Sequence, residues 1–173
     1  MPGSRDEDPG DDGKPAVHVR PATAVDAPAL GRLGAQLVAL HHDYDPKRFM
    51  AASPSTEQGY AQFLASQLGR PDVVMLVAEE DGQVAGYSYA AMEGTDYMVL
   101  RGPAGAVHDL FVEPERRGRG IGLRLLEASL EALKARGAPR VVLSTAERNE
   151  GAQRLFARAG FRPTMVEMTL ELD

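Results

Sequence analysis

The sequence has no cysteine and no tryptophan, and aromatic residues make up only 6% of its 173 positions. Without cysteine there can be no disulfide, no thiolate metal ligand and no cysteine nucleophile. Long apolar runs are missing too. The longest, Val73 to Ala78, is far short of the ~20 residues that a membrane helix needs, so no membrane partner is expected. The first residues lack the apolar core of a signal peptide, which makes the cytoplasm the expected location. Basic charge is not in excess either. The formal net charge is −6, which argues against general nucleic-acid binding and suits a cationic substrate. Much of this acidity is local: Asp6, Glu7, Asp8, Asp11 and Asp12 outweigh Arg5 and Lys14 in a stretch rich in proline, glycine and aspartate. Residues 1–16 are therefore expected to be a disordered acidic tail, and residues 17–173 one domain with a proper core.

The most informative stretch is Leu110 to Gly122, L-F-V-E-P-E-R-R-G-R-G-I-G. An apolar run stops at Glu113-Pro114, a loop of arginines and glycines follows, and an amphipathic helix pattern opens at Ile121. Strand, glycine-rich loop and helix start together make a phosphate cradle: glycines let backbone N–H groups converge, the helix N-terminus adds partial positive charge and arginine adds full charge. Two other phosphate loops do not fit. The glycines at 118, 120 and 122 break the G-x-G-x-x-G spacing of a dinucleotide loop, and Gly122 is followed by Leu123-Arg124 rather than the Lys-Ser/Thr of a P-loop.

The other elements follow from local pattern. Val17 to Arg20 reads as a strand. Thr23 or Asp26 caps a helix with Leu30, Leu33, Leu37 and Leu40 on one face, and Thr56 caps a second helix ended by Gly69 and Pro71. Val73 to Glu79 and Val84 to Ala91 flank an Asp81-Gly82 hairpin turn. Ala106 to Val112 feeds the glycine loop. A third helix carries Ile121, Leu125, Leu126, Leu130 and Leu133 and ends at Gly137; Val141 to Leu143 is a short strand. Asn149 caps a fourth helix with Ala152, Leu155, Phe156 and Ala159 at helical spacing, and Thr164 to Leu172 completes the set as a last strand. This is an α/β domain with a central, mostly antiparallel sheet flanked by helices.

Arg117-Gly118-Arg119-Gly120-Ile121-Gly122, preceded by Val112-Glu113-Pro114, resembles the acetyl-CoA pyrophosphate loop of the GCN5-related N-acetyltransferase (GNAT) family. The run N-x-x-A-x-x-L-F-x-x-x-G-F from Asn149 to Phe161 resembles a second stretch of the same family, in the expected order and distance. The resemblance covers roughly residues 17 to 172. It implies a splayed strand pair that takes the pantetheine arm, with free backbone groups near Leu110, Phe111 and Val112. The pyrophosphate would meet N–H groups of residues 117 to 122, supplemented by Arg117 and Arg119, while the side chains of Ile121 and Leu125 simply pack. Asn149 has two readings, helix cap and pantetheine contact. Many members carry a tyrosine near the CoA sulfur where this chain has Phe156, which has no proton to give. Either the thiolate leaves without help, or water or another tyrosine substitutes: Tyr87 and Tyr89 share a face of the neighbouring strand, and Tyr44, Tyr60 and Tyr97 are expected to border the acceptor site.

The resemblance implies acetyl transfer from acetyl-CoA to a primary amine. An alkylammonium near pKa ~10 must lose a proton before it attacks a thioester, so a general base is needed. His108 and Asp109 are the two candidates. Strict alternation sends them to opposite faces, His108 with Ala106, Leu110 and Val112, and Asp109 with Val107 and Phe111. The expected acceptor is a small-molecule amine such as a polyamine, an amino-acid derivative or an aminocyclitol, with a peptide or protein amine as rival. A non-catalytic acyl-CoA-binding sensor is the alternative that Phe156 favours. His41-His42-Asp43-Tyr44-Asp45 reads as a polar helix end or acceptor rim rather than a metal site, and Asp43, Asp45, Glu93 and Asp96 read first as solvated loop charges, with the holding of a cationic acceptor as the alternative. The final strand, as a sheet edge, is open to a homodimer.

Overall fold

The computed structural model describes residues 16–172; the expected acidic tail, apart from Ala16, lies outside the described residues. The chain runs β1 (Val17–Pro21), α1 (Ala27–Tyr44), α2 (Thr56–Gln67), β2 (Val73–Glu80), β3 (Gln83–Glu93), β4 (Ala104–Val112), α3 (Ile121–Ala135), β5 (Val141–Leu143) and α4 (Glu150–Arg158). The five strands form one sheet in the order β1-β2-β3-β4-β5. Every pairing is antiparallel except β4 with β5. Among the described residues no helix is long and apolar enough to cross a membrane.

Local chemistry accounts for most of these elements. The β2–β3 hairpin turns on Asp81 and Gly82, with φ of 53° and 74°; two successive positive φ values are what a two-residue turn between right-twisted strands requires. Helices α1 and α2 lie on one face of the sheet over Val73, Met75, Val77, Tyr87 and Phe111. Helices α3 and α4 cover the other, with Leu126, Leu133 and Phe156 packed over Val74, Ala90 and Val107. Close contact between α1 and α2 depends on two glycines. A Cβ at Gly31 would stand 2.5 Å from the Glu57 carbonyl oxygen, and one at Gly34 would stand 2.0 Å from the Tyr60 ring.

One expected element is absent. Thr164 to Leu172 forms no strand: residues 161–172 have no regular structure, and 162–172 are exposed throughout. The alternating pattern is real, but alternation records which side chains share a face and does not supply a neighbouring ladder. The segment is tied instead to the α1–α2 connection by an ion pair between Arg48 and Glu167.

At the start of α1, Asp26 is buried and binds Arg20 through two 2.9 Å hydrogen bonds. It also accepts the Thr23 backbone N–H at 2.8 Å. The Arg20 guanidinium draws the Asp26 carboxyl down to about 2, against the opposing effect of burial. Because the folded value is depressed, the stabilisation is present above the unfolded value near 4 and is lost as pH falls toward 2. Asp26→Asn is expected to cost about 1–2 kcal/mol at pH 7. The gap from wild type should close between about pH 4 and pH 2, as measured by chemical denaturation across that range.

Candidate active site

The glycine loop forms as its spacing requires. After a short 3-10 turn at Pro114–Arg116, Gly118 and Gly120 take φ of 78° and 81°, and Gly120 is the N-cap of α3. The N–H of Arg117 turns back to Pro114 and that of Arg124 to Gly120. Among the described residues, the N–H groups of Gly118, Arg119, Gly120, Ile121, Gly122 and Leu123 find no acceptor. Nothing stands within 4 Å of where a Cβ would sit on Gly118 or Gly120. A fan of free N–H groups at a 15-residue helix start, open to solvent, fits a pyrophosphate.

The loop arginines brace this cradle. Buried Glu80, at the end of β2, pairs with Arg116 at 3.0 Å and with Arg119 at 3.2 Å. Arg117 Nε donates to the Val112 carbonyl at 2.9 Å, and its guanidinium lies 5.1 Å from the centre of the Phe111 ring. The expected free edge at Val112 is thereby reduced to its N–H. Ile121 and Leu125 are buried packing residues.

Beside the loop, β4 and β5 pair only from Gly105–Val141 to Val107–Leu143 and then part. The Glu113 N–H points to Ala85 on β3. Alternation from it turns the backbone groups of Leu110 and Val112 toward the gap. This is the expected splayed pair.

The faces of β4 differ from the expectation. In the β3–β4 ladder Tyr89 stands opposite Asp109 and Ala90 opposite Val107, so His108 is the extra residue of a β-bulge. The extra residue resets the alternation. Val107 packs under α3 and α4 with Leu110, while Asp109 and Phe111 face α1 and α2. Asp109 is thus parted from Val107, and His108 from Leu110 and Val112. The two candidate bases lie on the same face.

Each candidate has its own partners. His108 stacks on Tyr89, with ring centroids 5.1 Å apart and planes tilted by 32°. Its Nε2 lies 3.1 Å from Glu93 Oε1, and Glu93 is in turn held by Arg101. The imidazole is 39% exposed. An open depression of about 460 Å³ lies alongside, lined by Glu93, Asp96, Tyr97 and Arg101 among others. Asp109 is enclosed: its Oδ2 accepts the Tyr87 hydroxyl at 2.8 Å and the Tyr60 hydroxyl at 3.1 Å. Burial pushes its carboxyl above the usual range despite those two donors. Burial and the Asp109 charge push both tyrosines up as well.

Asn149 caps α4, its side chain accepting the Ala152 N–H at 3.1 Å. Phe156 is buried in the α3–α4 core, edge-on to Phe161. Tyr60 was expected at the acceptor border; its link to Asp109 spans 49 positions, and the small residue at position 34 was the available sign that the ring needed room. His41 and His42 sit at the end of α1, bonded to the carbonyls of Leu37 and Phe49.

A negative side chain at Gly120 tests the cradle. Aspartate and asparagine both tolerate a positive φ, so the pair isolates charge from backbone strain. Gly120→Asp is expected to bind acetyl-CoA about tenfold or more weakly than Gly120→Asn, since a carboxylate would stand among N–H groups meant for an anion. Calorimetry on the two variants, with circular dichroism to confirm folding, makes the comparison.

The family model described as the Acetyltransferase (GNAT) family matches residues 36–161. The mycothiol acetyltransferase of Clavibacter michiganensis subsp. michiganensis is 37% identical over 98 residues, covering 57% of this chain and 29% of that protein; the chain thus spans less than a third of that relative. The uncharacterized N-acetyltransferase YhfO of Bacillus subtilis is 28% identical over 145 residues, 84% of this chain and 89% of that one. A crystal structure of a tetramutant of the BH1408 protein from Bacillus halodurans superposes with a TM-score of 0.77 at 25% identity, covering 90% of this chain and 99% of that one. Cradle, splayed strands and family model agree: the chain belongs to the GNAT acetyltransferase family, whose co-substrate is acetyl-CoA.

Proposed function

We propose that this chain transfers the acetyl group of acetyl-CoA to a primary amine of a small molecule, with His108 as general base. The observation that carries the reading is the bulge at His108. It presents a half-exposed imidazole, backed by Glu93, on the strand whose free edge leads to the cradle. When bound, acetyl-CoA supplies an activated acyl thioester. The N–H groups of residues 118–123 would hold its pyrophosphate, and the backbone of Leu110 and the Val112 N–H would receive the pantetheine arm.

The rest is the work of side chains on the α1–α2 face. With a proton on Nε2 directed to Glu93, His108 Nδ1 is left to take the proton from an incoming ammonium or amine. Arg101 and Tyr89 hold the dyad in place. Asp109 suits this role less, because both hydroxyl donors converge on it and burial favours its neutral form. We assign it the positioning of Tyr60 and Tyr87. Glu93 and Asp96 beside the open depression favour a cationic acceptor. A small acceptor is also supported by the mycothiol acetyltransferases among the relatives, which are named for a small molecule. Phe156 supplies no proton, so the thiolate leaves without help from that position.

His108→Ala is expected to lower kcat by about 100-fold with little change in acetyl-CoA affinity. Release of CoA thiol across a panel of polyamines, amino acids, aminoglycosides and peptides, preceded by acetyl-CoA calorimetry, measures both. Full turnover by His108→Ala would move the base elsewhere. Binding without release on any amine would favour an acyl-CoA sensor.

A further inference from the structure

The connection between β3 and β4 puts four apolar side chains in a row into water. Tyr97 is 77% exposed, Met98 87% and Leu100 91%, with Val99 the least at 41%. Contiguous apolar surface of this kind marks a binding site more often than singly scattered side chains do. The loop that carries it is also firmly built. Asp96 and Arg101 exchange both backbone hydrogen bonds, at 2.8 and 2.9 Å, and Asp96 Oδ1 accepts the Met98 N–H at 2.9 Å. Leu100 takes φ of 54°, a left-handed conformation that is costly for a side chain of its size and that the bridge holds in place.

Tyr97 and Met98 are the apolar wall of the open depression of about 460 Å³, across from Glu93, Asp96 and Arg101. Glu93 also meets His108 Nε2, so the depression begins where an amine would arrive. Its charge is small. Arg101 pairs with Glu93, and the lining as a whole carries one net negative charge. One ammonium would balance it; a second would meet the already paired Glu93 and gain little. An apolar or aromatic body, by contrast, would cover the Tyr97 ring and the Met98 thioether and release the water now on them. The geometry points to an acceptor with a single ammonium group on an apolar or aromatic body, rather than a polyamine or an aminocyclitol, with Tyr97 and Met98 as the residues that select it. This assignment rests on the reading of His108 as the group that receives the amine.

The test compares pentylamine and phenethylamine with cadaverine, which matches pentylamine in length and differs by a second charge at the far end. With the full chain, kcat/KM for the two monoamines is expected to exceed that for cadaverine by about tenfold or more. Tyr97→Ser/Met98→Ser should fold as wild type does, because both side chains already lie in water. It should bring the monoamines down to the level of cadaverine while acetyl-CoA affinity, read by calorimetry, stays the same. A second readout needs no chemistry: phenethylamine titrated into the CoA-saturated protein should bind about tenfold more weakly to the variant. Such binding without CoA release from acetyl-CoA would sink the acetyl-transfer reading and leave the assignment of the depression standing. Cadaverine used as well as pentylamine, or phenethylamine binding that the variant does not weaken, would overturn the assignment even in an active acetyltransferase.

Discussion

Between Tyr89 and Ala90 the β3–β4 ladder must absorb one residue more on β4 than on β3, and that residue is His108. A strand has only two faces, so a single extra residue exchanges them for everything beyond it. Here the exchange leaves Val107 under α3 while turning Asp109 toward α2, and it brings His108, Tyr89 and Glu93 together at the surface. Without the bulge, either Asp109 would be driven into the apolar cluster around Phe156 or Val107 would leave it. The unpaired edge of β4 begins at the same point, just beyond the last contact with Leu143.

The α1–α2 pair serves the same region from above. Gly31 and Gly34 let α2 approach closely enough for Tyr60 to lie over α1 and reach Asp109. Tyr87 comes to the same carboxylate from the sheet. A buried acid with two phenolic donors costs less than one left unpaired, and it fixes both rings. The open His108–Glu93 pair and the closed Asp109–Tyr60–Tyr87 cluster are thus adjacent groups that differ in exposure and in partners.

What was legible in the sequence was what local chemistry decides. Glycine spacing at 118, 120 and 122 located the loop of free N–H groups before α3, Asn149 located the start of α4, and Asp81-Gly82 located the hairpin. The faces of His108 and Asp109 were misread, because a bulge is set by the register of the opposite strand and leaves no mark in the run A-V-H-D-L-F-V. Glu93 could be read only as a solvated loop charge or an acid near the acceptor, not as the partner of His108 and Arg101. The last segment was misread for a related reason. Its alternation is strand-like, but pairing belongs to the neighbour, and residues 164–172 have none within the molecule.

The buried carboxylate of Glu80 also affects how the loop meets an anion. Arg116 and Arg119 share the single Glu80 carboxylate, and Arg116 also meets Glu113, which Arg32 pairs with as well. Arg117, held by a carbonyl and an aromatic ring, is the one loop arginine without a carboxylate partner among the described residues, so a single full charge stands beside the short-range backbone dipoles. Such a loop would meet a diphosphate with pre-placed N–H groups and one arginine charge. Its conformation is set during folding, so ordering it is not an additional cost when ligand arrives.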